Sequence, residues 1–426
     1  VTIATLLIST QRVRRLGQRL IALAVPCMLA ACERPREAPP SPPEEAVYPH
    51  MSDSIGTVRE IYDGALSPAL AVHTFRNIDR LFPTGQVRPG AVPRALAPSA
   101  HPLGDVTFSD SAGTHTLEDY VRANRVTALL VLKDGTVAHE RYLFGNGPRT
   151  RWMSMSIAKS ITSTLIGAAV HEGAISSVDD LVTRYVPSLA GTAYDGVTVR
   201  QVLTMTSGAH WDETYTDPRS DRRRLLEAQV AQLRGAALEV MARLPRTATP
   251  GSRHNYSTGE TQVAGEILRG AVSRPLSTYL SERIWQPMGM EHEARWWLDA
   301  PGGIEIGGSG LSATLRDYGR FGLFMLQDGV VDGVRHLPEG WVQDATSARQ
   351  LPDGSALPYG YLWWIPQTPA SLRDGAYSAE GIHGQFLYMN PAARVVIVVW
   401  SAQPQPTGGG RFDDWAVFDA IVEALR

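Results

Sequence analysis

Apolar and polar positions along the chain fall into three zones. Val126–Leu132 and Thr136–Phe144 are rich in β-branched and aromatic residues and flank Lys133-Asp134-Gly135, a tight-turn signal, so they predict a β-hairpin. From Ser156 the period changes. Ile157, Ile161, Leu165 and Ala168/Ala169 recur at helical spacing up to His171, and Gly173 marks the stop. Helical patterns then dominate from Val197 to about Gln327, over Arg223–Arg243, Thr258–Arg269 and Ser312–Leu326. Strand patterns return at Tyr359–Ile365, Gly384–Met389 and Arg394–Trp400, and Trp415–Leu425 closes as an amphipathic helix. Strands near both ends of a helical middle predict an α+β fold. Its antiparallel sheet is built from both ends of the chain and flanked by helices, with a helical lobe inserted over about 174–330. A ligand site is expected at the seam.

The first 31 residues stand apart from this scheme. Arg12, Arg14, Arg15 and Arg19 precede a short apolar run, Leu20–Ala31, which reads as a signal peptide rather than a membrane span. Leu29-Ala30-Ala31-Cys32 resembles a bacterial lipobox, so Cys32 is the expected lipidation site. Residues 32–50, rich in Pro and Glu, are expected to form a disordered tether, with one folded domain over 51–426. The expected location is the bacterial cell envelope, anchored by lipid, with the outer membrane facing the periplasm favoured because Glu33, not Asp, follows Cys32. Pro83–Pro102 reads as a second loose stretch.

Composition adds one sharp clue. A formal charge of −3 gives no reason to expect nucleic acid, and the 43% hydrophobic content fits a globular protein. Of 40 basic residues only Lys133 and Lys159 are lysines. Lys159 lies three positions after Ser156, so on a helix the two side chains share a face. A serine hydroxyl needs a neighbour to take its proton. A lysine can do so once burial lowers its pKa from roughly 10.4, whereas arginine never deprotonates. A scarce lysine therefore occupies a position where this chemistry forbids the common cation. Ser156 is the expected nucleophile and Lys159 its base.

The segment Arg151–Ser160 resembles the active-site helix of class C β-lactamases, family VIII esterases, D-aminopeptidases and 6-aminohexanoate-dimer (nylon oligomer) hydrolases. Collinear blocks at Val199–Gly208, Pro250–Thr258, Gln286–Met290 and Gly308–Asp317 resemble further motifs of this serine β-lactamase and penicillin-binding-protein superfamily. The resemblance implies a β-lactamase/transpeptidase-like fold and a cofactor-free hydrolase working through an acyl-enzyme. By it, Tyr256 matches the tyrosine of a Y-x-N motif and becomes a proton relay. Thr258 stands where the motif has Asn and is expected to contact lysine or substrate. The K-T-G strand aligns with Ile382-His383-Gly384, which places Gly384 against substrate, leaves His383 as either a substrate contact or a satisfied edge histidine, and puts the Gln385 N–H, with that of Ser156, in the oxyanion hole.

That alignment lacks the lysine which helps hold a β-lactam carboxylate. An ester or linear amide is therefore the favoured small-molecule substrate over a β-lactam or wall peptide. A β-lactamase or DD-peptidase, and a non-catalytic penicillin-binding-like sensor, stand as alternatives. The acidic segment His210–Pro218 most resembles the nylon-oligomer hydrolases and makes Tyr215 a candidate for closing over substrate. No G-x-S-x-G elbow, H-E-x-x-H pair or His/Cys cluster points to another hydrolase plan or to a metal.

Overall fold

The computed structural model describes residues 47–426. The expected leader, Cys32 and most of the expected tether lie outside them. Strands β1 (Thr84–Val87), β2 (Val126–Lys133), β3 (Thr136–Tyr142) and β4 (Arg151–Met153) precede helix α1 (Ile157–His171). Helices α2 (Asp221–Val230), α3 (Ala236–Ala242) and α4 (Thr258–Val272) follow, then β5 (Ala294–Trp297), β6 (Leu311–Thr314) and α5 (Leu315–Leu326). Strands β7 (Tyr377–Gly381), β8 (Gln385–Asn390) and β9 (Val395–Ser401) come next, before helix α6 (Asp414–Ala424). No helix among the described residues is long and apolar enough to cross a membrane.

An antiparallel five-stranded sheet runs in the order β7-β8-β9-β2-β3. Strands from the two ends of the chain meet at its centre, where Val398 of β9 pairs with Leu130 of β2. Alternate side chains point to opposite faces. Leu130, Leu132, Val396 and Val398 enter the main core, against α1 and α5. Leu129, Val131, Ile397 and Val399 enter a second cluster with Val417, Phe418 and Ile421 of α6. Burial on both faces explains why these strands read as continuous apolar runs rather than alternating ones.

Three elements differ from expectation. A second, four-stranded sheet, β1-β5-β6-β4, draws its edge strand from the stretch read as loose. Arg223–Arg243 is not one helix, because Gln232 and Gly235 at φ 51° and 82° break it between α2 and α3. Tyr359–Ile365 is not a regular strand: the Gly360 N–H bonds the Trp363 carbonyl at 2.8 Å, Leu362 has φ 62°, and only isolated bridges form.

The junction of β6 and α5 carries a buried ion pair. Asp317, fully buried, accepts from Thr314 Oγ1 at 2.8 Å, from the N–H groups of Glu291 at 2.7 Å and His292 at 3.0 Å, and from Arg320 Nη1 at 2.9 Å. Removing Asp317 leaves the Glu291 and His292 N–H groups without their acceptor and Arg320 with Glu291, at 3.1 Å, as its remaining carboxylate. Asp317→Ala is expected to destabilise the protein by about 3–5 kcal/mol, read from chemical denaturation. A loss under about 1 kcal/mol, the value typical of a surface pair, would show that the site hydrates freely.

Candidate active site

Strand β4 delivers the chain to the nucleophile. The Ser154 N–H bonds the Leu311 carbonyl of β6 at 2.7 Å, and Met155 then turns sharply at φ 43°. A non-glycine residue held in the left-handed region marks a conformation imposed by its surroundings. Ser156 follows as the N-cap of α1, yet its hydroxyl caps no backbone N–H. It accepts instead from Lys159 Nζ at 2.7 Å, and the same amine donates to the Gly308 carbonyl at 3.0 Å. Burial pulls the Lys159 pKa down to about 7, with Glu213 acting against this and Arg222 with it. Lys159 can therefore supply a neutral amine near neutral pH.

Close packing holds the Gly308 carbonyl in place. A Cβ on Gly307 would come within 2.4 Å of the Thr261 carbonyl, and one on Gly308 within 3.1 Å of the Thr258 carbonyl. Only glycines allow this segment to wedge against α4. Tyr256 precedes that helix, stacked on Trp364 at 5.3 Å between ring centroids, with the Lys159 amine 5.4 Å from its ring centre. Burial and the Glu213 charge raise the Tyr256 pKa, while the neighbouring Ser156 hydroxyl opposes them. The phenol stays protonated and can pass a proton on. Ser156, Lys159 and Tyr256 thus meet in one place.

Glu213 organises the loop beside them. Its carboxylate accepts from the Trp211 indole, from the Thr258 N–H at 2.8 Å and from Thr258 Oγ1 at 2.5 Å. This corrects the role expected of Thr258, whose hydroxyl binds the loop carboxylate rather than lysine or substrate. Tyr215 lines the cavity over Ser156 and stacks on Tyr62 at 6.1 Å.

The third motif lies one turn earlier than the alignment placed it. β7 ends at Gly381, and Ile382, His383 and Gly384 form the turn into β8, with φ 65° at His383 and 80° at Gly384. It is Gly381 that packs beneath the nucleophile: a Cβ there would fall 2.5 Å from the Ser154 carbonyl. His383 is buried, its ring nitrogens 2.8 Å from the Gln403 carbonyl and 3.0 Å from the Ile61 carbonyl, so it is a core residue and not a substrate contact. Gln385 pairs with Gly381 in the ladder, and its buried amide binds Trp152 Nε1 at 2.8 Å and the Ser401 carbonyl at 2.8 Å. Gln385 does not line the cavity; Ile382 does, together with Gly384. Neither the Ile382 N–H nor the Ser156 N–H has a hydrogen-bond partner among the described residues. This pair is the one available to an oxyanion.

The cavity over Ser156 measures about 910 Å³. Tyr215, Tyr256, Trp364, Phe386 and Phe412 give it aromatic walls, and Glu213, Glu380 and Asp414 give it carboxylates. No lysine or arginine is among the residues lining it. Burial raises the pKa of Glu380 to about 7 and that of Asp414 to about 6. No group of three or more His, Cys, Asp or Glu side chains among the described residues could hold a metal ion.

Residues 116–421 match the family described as Beta-lactamase. The chain belongs to the β-lactamase family. It is 31% identical over 351 residues to the 6-aminohexanoate-dimer hydrolase of Paenarthrobacter ureafaciens, across 78% of this chain and 85% of that one. A solved Bacillus anthracis chain assigned as a 6-aminohexanoate-dimer hydrolase aligns with a TM-score of 0.73 at 24% identity, over 83% of this chain and 92% of that chain. EstCE1, a hydrolase with promiscuous acyltransferase activity, shares the fold with a TM-score of 0.55 at 15% identity, over 72% of this chain and 96% of that chain. The fold is α+β of the β-lactamase/transpeptidase type, and the protein is a serine hydrolase.

Glu213, Glu380 and Ile382 were not assigned roles by the sequence. A usable signal for the last two was present: Tyr377-Ser378-Ala379 is a strand pattern ending in a glycine three positions before Gly384.

Proposed function

We propose that this enzyme cleaves esters or linear amides whose reacting part is neutral or cationic, through an acyl-enzyme on Ser156. Neutral Lys159 takes the Ser156 proton as Oγ bonds to the substrate carbonyl carbon. The resulting oxyanion is held by the N–H groups of Ser156 and Ile382. As the bond to the leaving group breaks, Tyr256 passes it a proton and is reprotonated from Lys159. Water then attacks the acyl-enzyme by the same relay, releasing the acid and restoring Ser156.

One observation carries the substrate reading: Glu380, next to Gly381 on β7, gives a carboxylate to a cavity wall without lysine or arginine. A β-lactam carboxylate would find no cation there, and it would meet like charge from Glu380 as that side chain ionises around pH 7, both of which disfavour binding. The relative from Paenarthrobacter, named for a linear amide substrate, points the same way. The test compares p-nitrophenyl butyrate, a 6-aminohexanoate dimer and a chromogenic cephalosporin on purified protein. Ester or linear-amide turnover is expected, with cephalosporin kcat/KM lower by roughly 10²-fold or more. Fast cephalosporin turnover would transfer the assignment to β-lactamase.

The leader pattern and Leu29-Ala30-Ala31-Cys32 support attachment to the bacterial envelope by acyl chains on Cys32, on the periplasmic side of the outer membrane. In the same preparations, full-length protein should partition with membranes and incorporate labelled palmitate. Cys32→Ser should do neither. Labelling that survives this substitution would remove Cys32 as the anchor.

A further inference from the structure

Arg222, in the first turn of α2, is only 3% exposed. Its Cζ lies 4.3 Å from the centre of the Tyr62 ring, and Nη2 donates to the Tyr62 hydroxyl. Its Nε has no hydrogen-bond partner, and no carboxylate forms an ion pair with it among the described residues. Other buried arginines are paired: Arg223 with Asp63 at 2.5 Å, and Arg320 with Asp317 at 2.9 Å. A buried cation without a counter-charge is costly, so stability does not explain this position.

Its surroundings suggest what does. Arg222 borders a narrow crevice together with Ser156, Tyr215, Thr258, Gly308 and Ile382. The crevice leaves no room for even a water molecule, so it is not a subsite for a substrate anion. Two of its neighbours are the nucleophile and the residue whose carbonyl holds the Lys159 amine.

We propose that Arg222 is a positioning residue for charge: held behind the nucleophile by Tyr62, its uncompensated cation opposes a second positive charge on Lys159 and keeps the base neutral. The inference rests on the reading of Lys159 as base. A like charge disfavours the ionised form of its neighbour, and Arg222 lowers the Lys159 pKa in this way, after burial. The other groups facing Lys159 are Glu213, which favours its protonation, and the phenol of Tyr256. Tyr215 lies beyond them, and Glu380, from β7, acts on Tyr256. Glu213 and Arg222 thus pull the lysine in opposite directions.

Because the chain has only two lysines, Lys133 and Lys159, the test needs no activity. Protein labelled with 13C at lysine Cε shows two signals, assigned with Lys133→Arg, and the Lys159 signal is titrated. In wild type its midpoint should fall near 7. Arg222→Met fills similar space and removes the unpaired charge, so the fold should be retained. Its Lys159 midpoint should rise by roughly one pH unit, and Glu213→Gln should move it the other way. The acid limb of kcat/KM should shift with the midpoint in each variant, while Arg222→Lys keeps the wild-type limb. Arg222→Gln gives a second neutral variant should the methionine protein not fold.

A merely structural Arg222 would change kcat or Tm and leave the midpoint in place. An unmoved midpoint in either neutral variant therefore overturns the proposal. A wild-type midpoint near the ordinary lysine value of roughly 10.4 would instead overturn Lys159 as base.

Discussion

Ser156→Ala and Lys159→Ala are each expected to lower kcat by about 10⁴-fold or more, and the double variant by no more than the worse single one. The two side chains form one device. Without the amine 2.7 Å from Oγ, nothing takes the serine proton; without the hydroxyl, the neutral amine has no proton to take. Residual turnover would come from the oxyanion donors and binding alone. Lys159→Arg should be as inactive as Lys159→Ala, because a guanidinium keeps its proton. The pH dependence has a definite sign. The active form carries neutral Lys159, so wild-type kcat/KM should fall as pH drops through about 7. Steady-state kinetics on one good substrate from pH 5 to 9 decides this. Additive losses in the double variant would mean that Ser156 and Lys159 do not act together.

Tyr256→Phe is expected to separate substrates by their leaving groups. Positioned proton transfer contributes about 10²–10⁴-fold. A linear amide expels an amine that must be protonated as the bond breaks, so its kcat should fall by roughly 10³-fold. A p-nitrophenyl ester expels a stable phenolate, and its loss should be nearer 10-fold on the same reasoning. The ring keeps its stack on Trp364 in the variant, so packing should change little. Equal loss on both substrates would place Tyr256 in activating Ser156 and not in leaving-group protonation.

Legibility differed from one part of the site to the next for physical reasons. The Ser156–Lys159 pair is local: two residues three positions apart on one helix share a face wherever that helix lies. The Tyr377–Gly381 strand was missed because the glycine that packs beneath the nucleophile, Gly381, stands three positions before Gly384 in the same short stretch. Either glycine suits a close approach, and only the ladder shows which one ends the strand. The same three-residue offset put the Gln385 N–H in the oxyanion hole, although that residue pairs with Gly381 in the ladder, and left His383 open as a substrate contact, although its ring is held in the core. Thr258 was expected to serve lysine or substrate, and its partner, Glu213, comes from a loop whose approach no local pattern encodes.

The sequence by itself determined the hairpin at one edge of the large sheet, the nucleophile helix and the choice of lysine over arginine at position 159. It also determined the apolar runs that bury the sheet on both faces. Each follows from periodicity or from the chemistry of one side chain. Tertiary structure alone decided the second sheet, whose edge strand comes from a Pro- and Gly-rich stretch, and the break between α2 and α3. It also decided which N–H groups remain free beside Ser156, and the meeting of Glu213 and Arg222 around one buried amine. Those outcomes depend on contacts between segments far apart in the chain and on desolvation, which no window of neighbouring residues records.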